Sequence, residues 1–344
     1  MEVEETNIAG VVGGPSPESA SIGDASPAPV GATIEDAVAA LKRGGLVAFP
    51  TETVYGLGAD ARNEEAISLL YKVKGRPAKH PVIVHIGDAS QLDQWAKEVP
   101  EGAARLAKAF WPGPLTLVLK RAEGVLDVIT GGQDTVAVRV PNHPVALELL
   151  NAFGGGLVAP SANKFGRLSP TLASHVVAEL GKEVEVVLDG GACSVGIEST
   201  IVDCSGEGVS ILRPGKITAA QIEAVIGLPL SNPVEASPRV PGGLARHYSP
   251  KAKVHLLKRV AMIEALTTHK GKRIGALALE VAVSRLPQAL QIIEPAVSAE
   301  YARSLYANLR LLDEAGADHI LVEMPPDTPG WAGVIDRLRR AATD

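Results

Sequence analysis

The sequence has only two cysteines in 344 residues, Cys193 and Cys204. One pair cannot build a disulfide framework, and by itself it falls short of four zinc ligands, so both read as small, part-buried residues. No hydrophobic run approaches the ~18 residues of a membrane-crossing helix, which excludes an integral α-helical membrane protein. Lysine and arginine are missing from the first 33 residues, which carry five acids: Glu2, Glu4, Glu5, Glu18 and Asp24. An acidic start is the opposite of a basic signal sequence or an Arg-rich transit peptide and sets the expectation of a cytoplasmic protein. A Walker A loop is missing too. Gly181-Lys182, Gly215-Lys216 and Gly271-Lys272 lack both the following Ser or Thr and the upstream glycine, so any nucleotide must be held by another route.

What is present suffices for a folded chain: 46% of residues are hydrophobic and 21% charged, and the length suggests two domains. The formal net charge is −6, but outside the acidic tail 33 bases face 34 acids. A nearly neutral body argues against a protein whose main work is wrapping nucleic acid, and the expectation is weak or no direct nucleic-acid binding.

Residues 1–32 are rich in Gly, Pro, Ser, Ala and Glu, without hydrophobic period, and read as a disordered tail. From 33 to 227, short apolar runs alternate with helical periodicity. Thr33 caps a first helix with Asp36 three residues on, LVAFP (46–50) is a strand, 63–74 a helix and 81–87 a strand. Helical stretches at 90–98, 101–111, 143–153, 170–180 and 218–226 alternate with strands at 116–120, 136–141, 156–163, 184–189, 199–204 and 209–213. This order predicts an α/β domain around a twisted mixed sheet. Five prolines between Pro229 and Pro250 mark 228–250 as a semi-rigid linker. Beyond it, strands at 253–257, 273–279 and 319–324, helices at 258–269 and 299–315 and a last helix from about 331 suggest a smaller three-layer, Rossmann-like α/β domain over 251–344. Tyr301, Leu305, Leu309 and Leu312 form its core stripe.

Residues able to carry chemistry gather at strand ends and turns between 49 and 213, where open α/β sheets place ligands. FPTETVYGLG (49–58) sets Thr51, Glu52, Thr53 and Tyr55 at the mouth of a core strand, although hydroxyl-rich turns also serve purely structural ends. KGRPAKHPVIVH (74–85) puts Lys74 and Arg76 at a helix end, where they suit either a triphosphate or the helix C-terminus. His85, within an apolar strand, also reads as a core histidine. PSAN (160–163) offers Ser161 and Asn163; VGIESTIVD (195–203) and LRPG (212–215) add Ser199, Thr200 and Arg213. Arg139, the lone charge in VAVRVP, needs an anion, either a protein carboxylate or a substrate's.

In this order and spacing, AFPTETVYGLG, KGRP with HPVIVH, WPGPLTLVL, VAVRVP, PSAN, SPT, GIESTIVD and LRPG resemble the threonylcarbamoyl-AMP synthase family, with its YrdC-like fold. The resemblance covers about 33–227, and PGGLARHYSP (241–250) with the second domain is similar to the family's longer branch. It implies that L-threonine and bicarbonate form an N-carboxy-threonine, which attacks the α-phosphate of ATP and displaces pyrophosphate. Partner proteins would then carry the threonylcarbamoyl group to the adenosine beside the anticodon of certain tRNAs. The implied catalytic residues are Lys74 and Arg76. The implied ATP contacts are these two with His80, Thr135, Ser161, Asn163, Arg213 and Tyr248. Threonine would meet Thr53, His85, Arg139 and Ser199 or Thr200. Mg²⁺ would arrive with ATP, with no metal ligands expected from protein side chains, and the linker would fold over the site as a lid. Lys164-Phe165-Gly166 after PSAN, where a small residue often precedes the glycine, and His80, where Asn also occurs, depart from commoner family patterns.

Two rival readings are a double-stranded RNA-binding module, disfavoured by the neutral body, and a carbamoyl-adenylate-forming enzyme of the hydrogenase-maturation type. The latter normally carries a zinc-finger region for which this chain has too few cysteines.

Overall fold

The computed structural model describes residues 31–243, 246–269, 271–279 and 289–343. Apart from Gly31 and Ala32, the acidic tail lies outside the described residues.

The first helix, Ile34–Lys42, begins at the expected cap: Asp36 N donates to Thr33 Oγ1 and Thr33 N to Asp36 Oδ2, a reciprocal pair that satisfies two end donors. Then follow β1 (Val47–Phe49), β2 (Gly56–Asp60), β3 (Ile83–His85), β4 (Leu115–Lys120), β5 (Thr135–Arg139), β6 (Leu157–Val158), β7 (Val186–Val187), β8 (Thr200–Asp203) and β9 (Ser210–Arg213). Among the described residues these form one mixed sheet ordered β7-β1-β2-β6-β3-β5-β4-β8-β9. Parallel pairing of β3 with β5 sets His85 opposite Arg139, while β9 returns antiparallel along β8 and sets Arg213 opposite Ile201. The polar residues strung along the chain are thereby drawn to neighbouring strand ends.

The structure corrects several local readings. Residues 56–60, read as a turn, form β2, antiparallel to β1 with Val47 opposite Gly58. Glycine has no strand preference, but here the Phe49 ring occupies the place of a side chain: a Cβ on Gly58 would lie 2.9 Å from Phe49 Cε1. The strand expected over 156–163 shrinks to Leu157–Val158, because Pro160 onward is a loop laced to its neighbours by Leu57 N to Pro160 O and Ala162 N to Tyr55 O. The helix expected at 90–98 is a 3₁₀ turn, Ala89–Gln94.

Past the linker, β10 (Lys253–Leu257), β11 (Ile274–Leu279), β12 (Leu290–Glu294) and β13 (His319–Glu323) make an all-parallel sheet ordered β10-β13-β11-β12. β12 was not legible in the sequence. Alternation along β11 separates two faces: Ala276 and Ala278 pack with Met262 of helix Arg259–Thr268, whereas Leu277 and Leu279 join Tyr301, Leu305, Leu309 and Leu312 of helix Ser298–Glu314. This is the expected three-layer arrangement. The second cluster also takes in Val54, Leu168, Val195 and Ile197, so helices Ser298–Glu314 and Ala332–Ala341 are packed against loops of the first domain as well as the second sheet. Gly196, at φ +82°, allows this approach, since a Cβ there would lie 2.3 Å from Ala302 O.

Candidate active site

A cleft opens where the ends of β3, β5 and β9 meet the 51–56 turn, the 159–161 loop and the linker. Thr51 builds the turn: its Oγ1 donates to Val54 O at 2.6 Å and accepts from the amides of Thr53 and Val54. Thr53 Oγ1 is thereby held to accept from Arg139 Nη1 at 2.9 Å. Arg139 Nη2 lies 2.8 Å from Glu52 Oε2, an ion pair that is buried on both sides. Its alignment is not that of a hydrogen bond, so both Glu52 oxygens and Arg139 Nη2 retain unused hydrogen-bonding capacity. Of the two partners open to Arg139, the structure supplies the protein carboxylate. His85, beside Arg139, is pushed down to about 3 by burial and then by the Arg139 charge, and is a neutral imidazole.

Arg76 and Arg213 form the opposite wall. Arg76 Nη2 donates to Pro81 O at 2.7 Å, and its guanidinium lies 5.6 Å from the Phe165 ring. Arg213 donates from Nε and Nη2 to Ser199 O and from Nη1 to Pro241 O. Both are buried, both are held below the ordinary arginine value chiefly by that burial, and among the described residues neither has a carboxylate within ion-pair distance. Two buried cations whose hydrogen bonds go to neutral groups make an anion site. Ser199 Oγ shares a 2.7 Å hydrogen bond with Thr116 Oγ1.

Lys74 stands behind this wall. Its Nζ donates to Ser161 O and Asn163 O, both at 2.5 Å, while Phe165 N returns to Lys74 O, so the helix end and the PSAN loop are clamped together. Burial and then Arg76 hold the ammonium well below its ordinary value. Asn163 turns Nδ2 to the carbonyls of Lys164 and Arg167 and supports the loop from within.

The linker closes the cleft. Pro241, Gly242, His247 and Tyr248 line it, and Ser249 N donates to Gly166 O at 3.0 Å. Tyr248 adopts φ +58°, stacks on Tyr306 at 5.8 Å and lies 5.2 Å from the Arg337 guanidinium. Gly242 must be a glycine: its φ is +78°, and a Cβ would lie 2.2 Å from the Tyr248 hydroxyl. These linker residues leave a narrow cleft.

Of the sequence-predicted residues, Thr53, Arg76, His85, Arg139, Ser161, Ser199, Arg213 and Tyr248 converge on the cleft. Lys74 and Asn163 support it from behind. His80 is half-buried at its margin, edge-on to Phe165. Two others do not reach it. Thr200 follows Ser199 in a strand, so its side chain leaves the opposite face and bonds Ile217 N and O. Thr135 begins the strand that Arg139 ends, roughly 13 Å away at strand rise, and borders a different depression. The sequence reading missed Glu198, whose Oε1 accepts from Ser169 and Oε2 from Tyr306 and Arg337, and also His247 and Thr116. Glu198 lies within the quoted GIEST motif; its role shows only once Arg337 arrives from the last helix.

Residues 39–215 match the family model described as "Telomere recombination", which covers Sua5, YciO and YrdC, and residues 217–343 match that described as "Threonylcarbamoyl-AMP synthase, C-terminal domain". The threonylcarbamoyl-AMP synthase of Pyrococcus abyssi is 41% identical over 316 residues, covering 88% of this chain and 92% of its own. The enzyme of that name from Bacillus subtilis is 40% identical over 321 residues, covering 90% and 92%. The crystal structure of P. abyssi Sua5 complexed with L-threonine superposes with a TM-score of 0.82 at 40% identity, covering 90% of this chain and 94% of that one. A double variant of the same protein, with a His and a Tyr replaced by Ala, superposes with a TM-score of 0.83 at 40% identity, covering 90% and 92%.

Proposed function

The chain belongs to the threonylcarbamoyl-AMP synthase family, and we propose that its cleft joins L-threonine, bicarbonate and ATP, releasing pyrophosphate and threonylcarbamoyl-AMP. The observation that carries this reading is the pair of buried cations, Arg76 and Arg213, which among the described residues make no ion pair with a carboxylate. A triphosphate supplies the missing negative charge, and fixed cations facing it stabilise the charge that develops as the α-phosphate is attacked.

The threonine amine and bicarbonate condense to a carbamate with loss of water. A carbamate oxygen then bonds to the α-phosphorus while the bond to the leaving pyrophosphate breaks. Threonine lies beside Thr53, Ser199 and Arg139, whose guanidinium, already paired with Glu52 through Nη2, faces its carboxylate. Arg76 and Arg213 face the phosphates, with Ser161 at the ribose side, and Lys74 and Asn163 keep the loop in register. The neutral His85 adds no positive charge next to the threonine amine. Mg²⁺ travels with the triphosphate: the carboxylates nearest the cleft, Glu52 and Glu198, are already paired with Arg139 and Arg337, so the phosphates themselves would hold it. The linker residues over the cleft, Pro241, Gly242, His247 and Tyr248, would move aside for ATP and back to exclude water from a labile adenylate. The product would pass to proteins that modify tRNA beside the anticodon.

The RNA-binding and hydrogenase-maturation readings are not favoured, since the relatives that span most of this chain carry the synthase name. Pyrophosphate release from ATP should require both threonine and bicarbonate; release indifferent to threonine would overturn the proposal.

A further inference from the structure

Away from the cleft, the outer face of the C-terminal sheet carries three histidines that the proposed reaction does not use. Lys253 of β10 is the register partner of His319 on β13, and His255 follows two residues later, so His255 and His319 project from the same face. His269 caps the C-terminus of helix Arg259–Thr268, which crosses that face. One ring nitrogen from each of the three lies within 4.8 Å of the others, and His255 Nε2 is 2.9 Å from His319 Nδ1. All three are half-buried.

We infer that His255, His269 and His319 form a binding site for a divalent transition cation of the Zn²⁺ class, with a fourth position open to water. Nitrogens about 2.0–2.1 Å from a tetrahedral metal stand about 3.4 Å apart. The 2.9 Å His255–His319 pair and the 4.8 Å limit on the three nitrogens bracket that spacing, so small ring rotations complete the geometry. The tautomers suit it as well. His269 Nδ1 lies 2.8 Å from Ala265 O, and its proton donated there leaves Nε2 as the bare ligand atom, the outer hydrogen bond that metal-binding imidazoles commonly make. The His255–His319 contact needs one bare nitrogen, and a cation can take the place of the shared proton. The carbonyl end of the helix faces the cluster and favours positive charge. Three imidazoles without thiolate select Zn²⁺, Cu²⁺ or Ni²⁺ over Mg²⁺ or Ca²⁺. Occupancy would tie β10, β13 and the helix end together on the face opposite helix Ser298–Glu314.

The test uses the full chain without a histidine tag, stripped with chelator and titrated calorimetrically with Zn²⁺ alone. One Zn²⁺ per chain is expected. His319→Ala and His269→Gln should each weaken it by at least about tenfold, since even outer-shell changes cost that much. Zn²⁺ should raise the thermal midpoint of the unaltered chain and of neither variant, while threonine-dependent pyrophosphate release stays at the unaltered rate in both. Should His319→Ala fail to fold, His269→Gln at the helix end carries the test. Absence of stoichiometric binding, or binding that survives His269→Gln, would overturn the inference; survival would place the metal elsewhere, as between His80 and His247 on either side of Phe165.

Discussion

Arg337, in the last helix of the chain, donates from Nε to Oε2 of Glu198 at 2.7 Å, joining the C-terminal domain to a carboxylate on the wall of the cleft. Both are buried, and Arg337 also donates to Pro214 O and Glu198 O. Removing one partner strands the other charge away from water. Arg337→Met should therefore cost about 3–5 kcal/mol of unfolding free energy, and Glu198→Gln added to it should restore part of the loss. Urea unfolding of the two variants decides this; a single variant as stable as the parent would mean that the pair is solvated.

The two arginines that make no ion pair among the described residues should govern ATP. Hydrogen bonds to charged groups are worth about 1.5–3 kcal/mol, so Arg76→Gln should lower kcat/KM for ATP by about ten- to a hundredfold. The threonine KM should change little. Steady-state pyrophosphate release with each substrate varied in turn measures both, and an equal loss for the two substrates would remove the assignment of Arg76 to the phosphates.

Arg139 requires a subtler variant, because Arg139→Ala would leave Glu52 buried and unpaired. Glu52→Gln with Arg139→Gln keeps the site neutral. That double variant should raise the threonine KM by at least about tenfold, the worth of one charge-assisted hydrogen bond, and leave the ATP KM within about twofold. Unchanged threonine KM would show that Arg139 serves only to hold the 51–54 turn.

Buried histidines should make the protein acid-sensitive well above the carboxylate range. His85 and His247 are each pushed down to about 3, chiefly by burial. Unfolded, they titrate near 6.5, so between those values the unfolded chain binds protons that the folded one does not. Stability is then full above about pH 6.5 and falls with acidification by about 1.4 kcal/mol per pH unit for each histidine. Glu198 acts in the same direction at lower pH. Burial raises its pKa, but Arg337 and Arg213 with the Ser169 and Arg337 hydrogen bonds outweigh that and bring it to about 2, so its contribution is lost from about pH 4.5 downward. Urea unfolding at pH 7.5 and 5.5 should show the loss, and His85→Gln should flatten it; equal stability at the two values would contradict burial of neutral imidazoles.

Much of this site was legible because open α/β sheets put ligand-binding residues where strands end, and the motifs around Thr53, Arg76, Ser161, Ser199 and Arg213 each straddle such an end. What escaped the sequence depends on partners far along the chain. Arg139 announced a need for an anion, but choosing Glu52 took the Thr51 turn and the register of β3 with β5. Glu198 became a wall residue only through Arg337, 139 positions later. β2 was hidden because Gly58 is required by the Phe49 ring rather than by strand preference. Thr200 was misplaced beside Ser199 because a motif read as a string ignores the twofold alternation of a strand.

The central claim is that one cleft condenses three substrates into an adenylate, and the most direct measurement follows the carbon. The purified chain incubated with ATP, Mg²⁺, L-threonine and isotope-labelled bicarbonate should yield threonylcarbamoyl-AMP carrying the label in its carbamoyl group, resolved by mass spectrometry, with an equal amount of pyrophosphate. AMP and pyrophosphate formed without a labelled adenylate, at a rate unaffected by leaving out threonine, would contradict it.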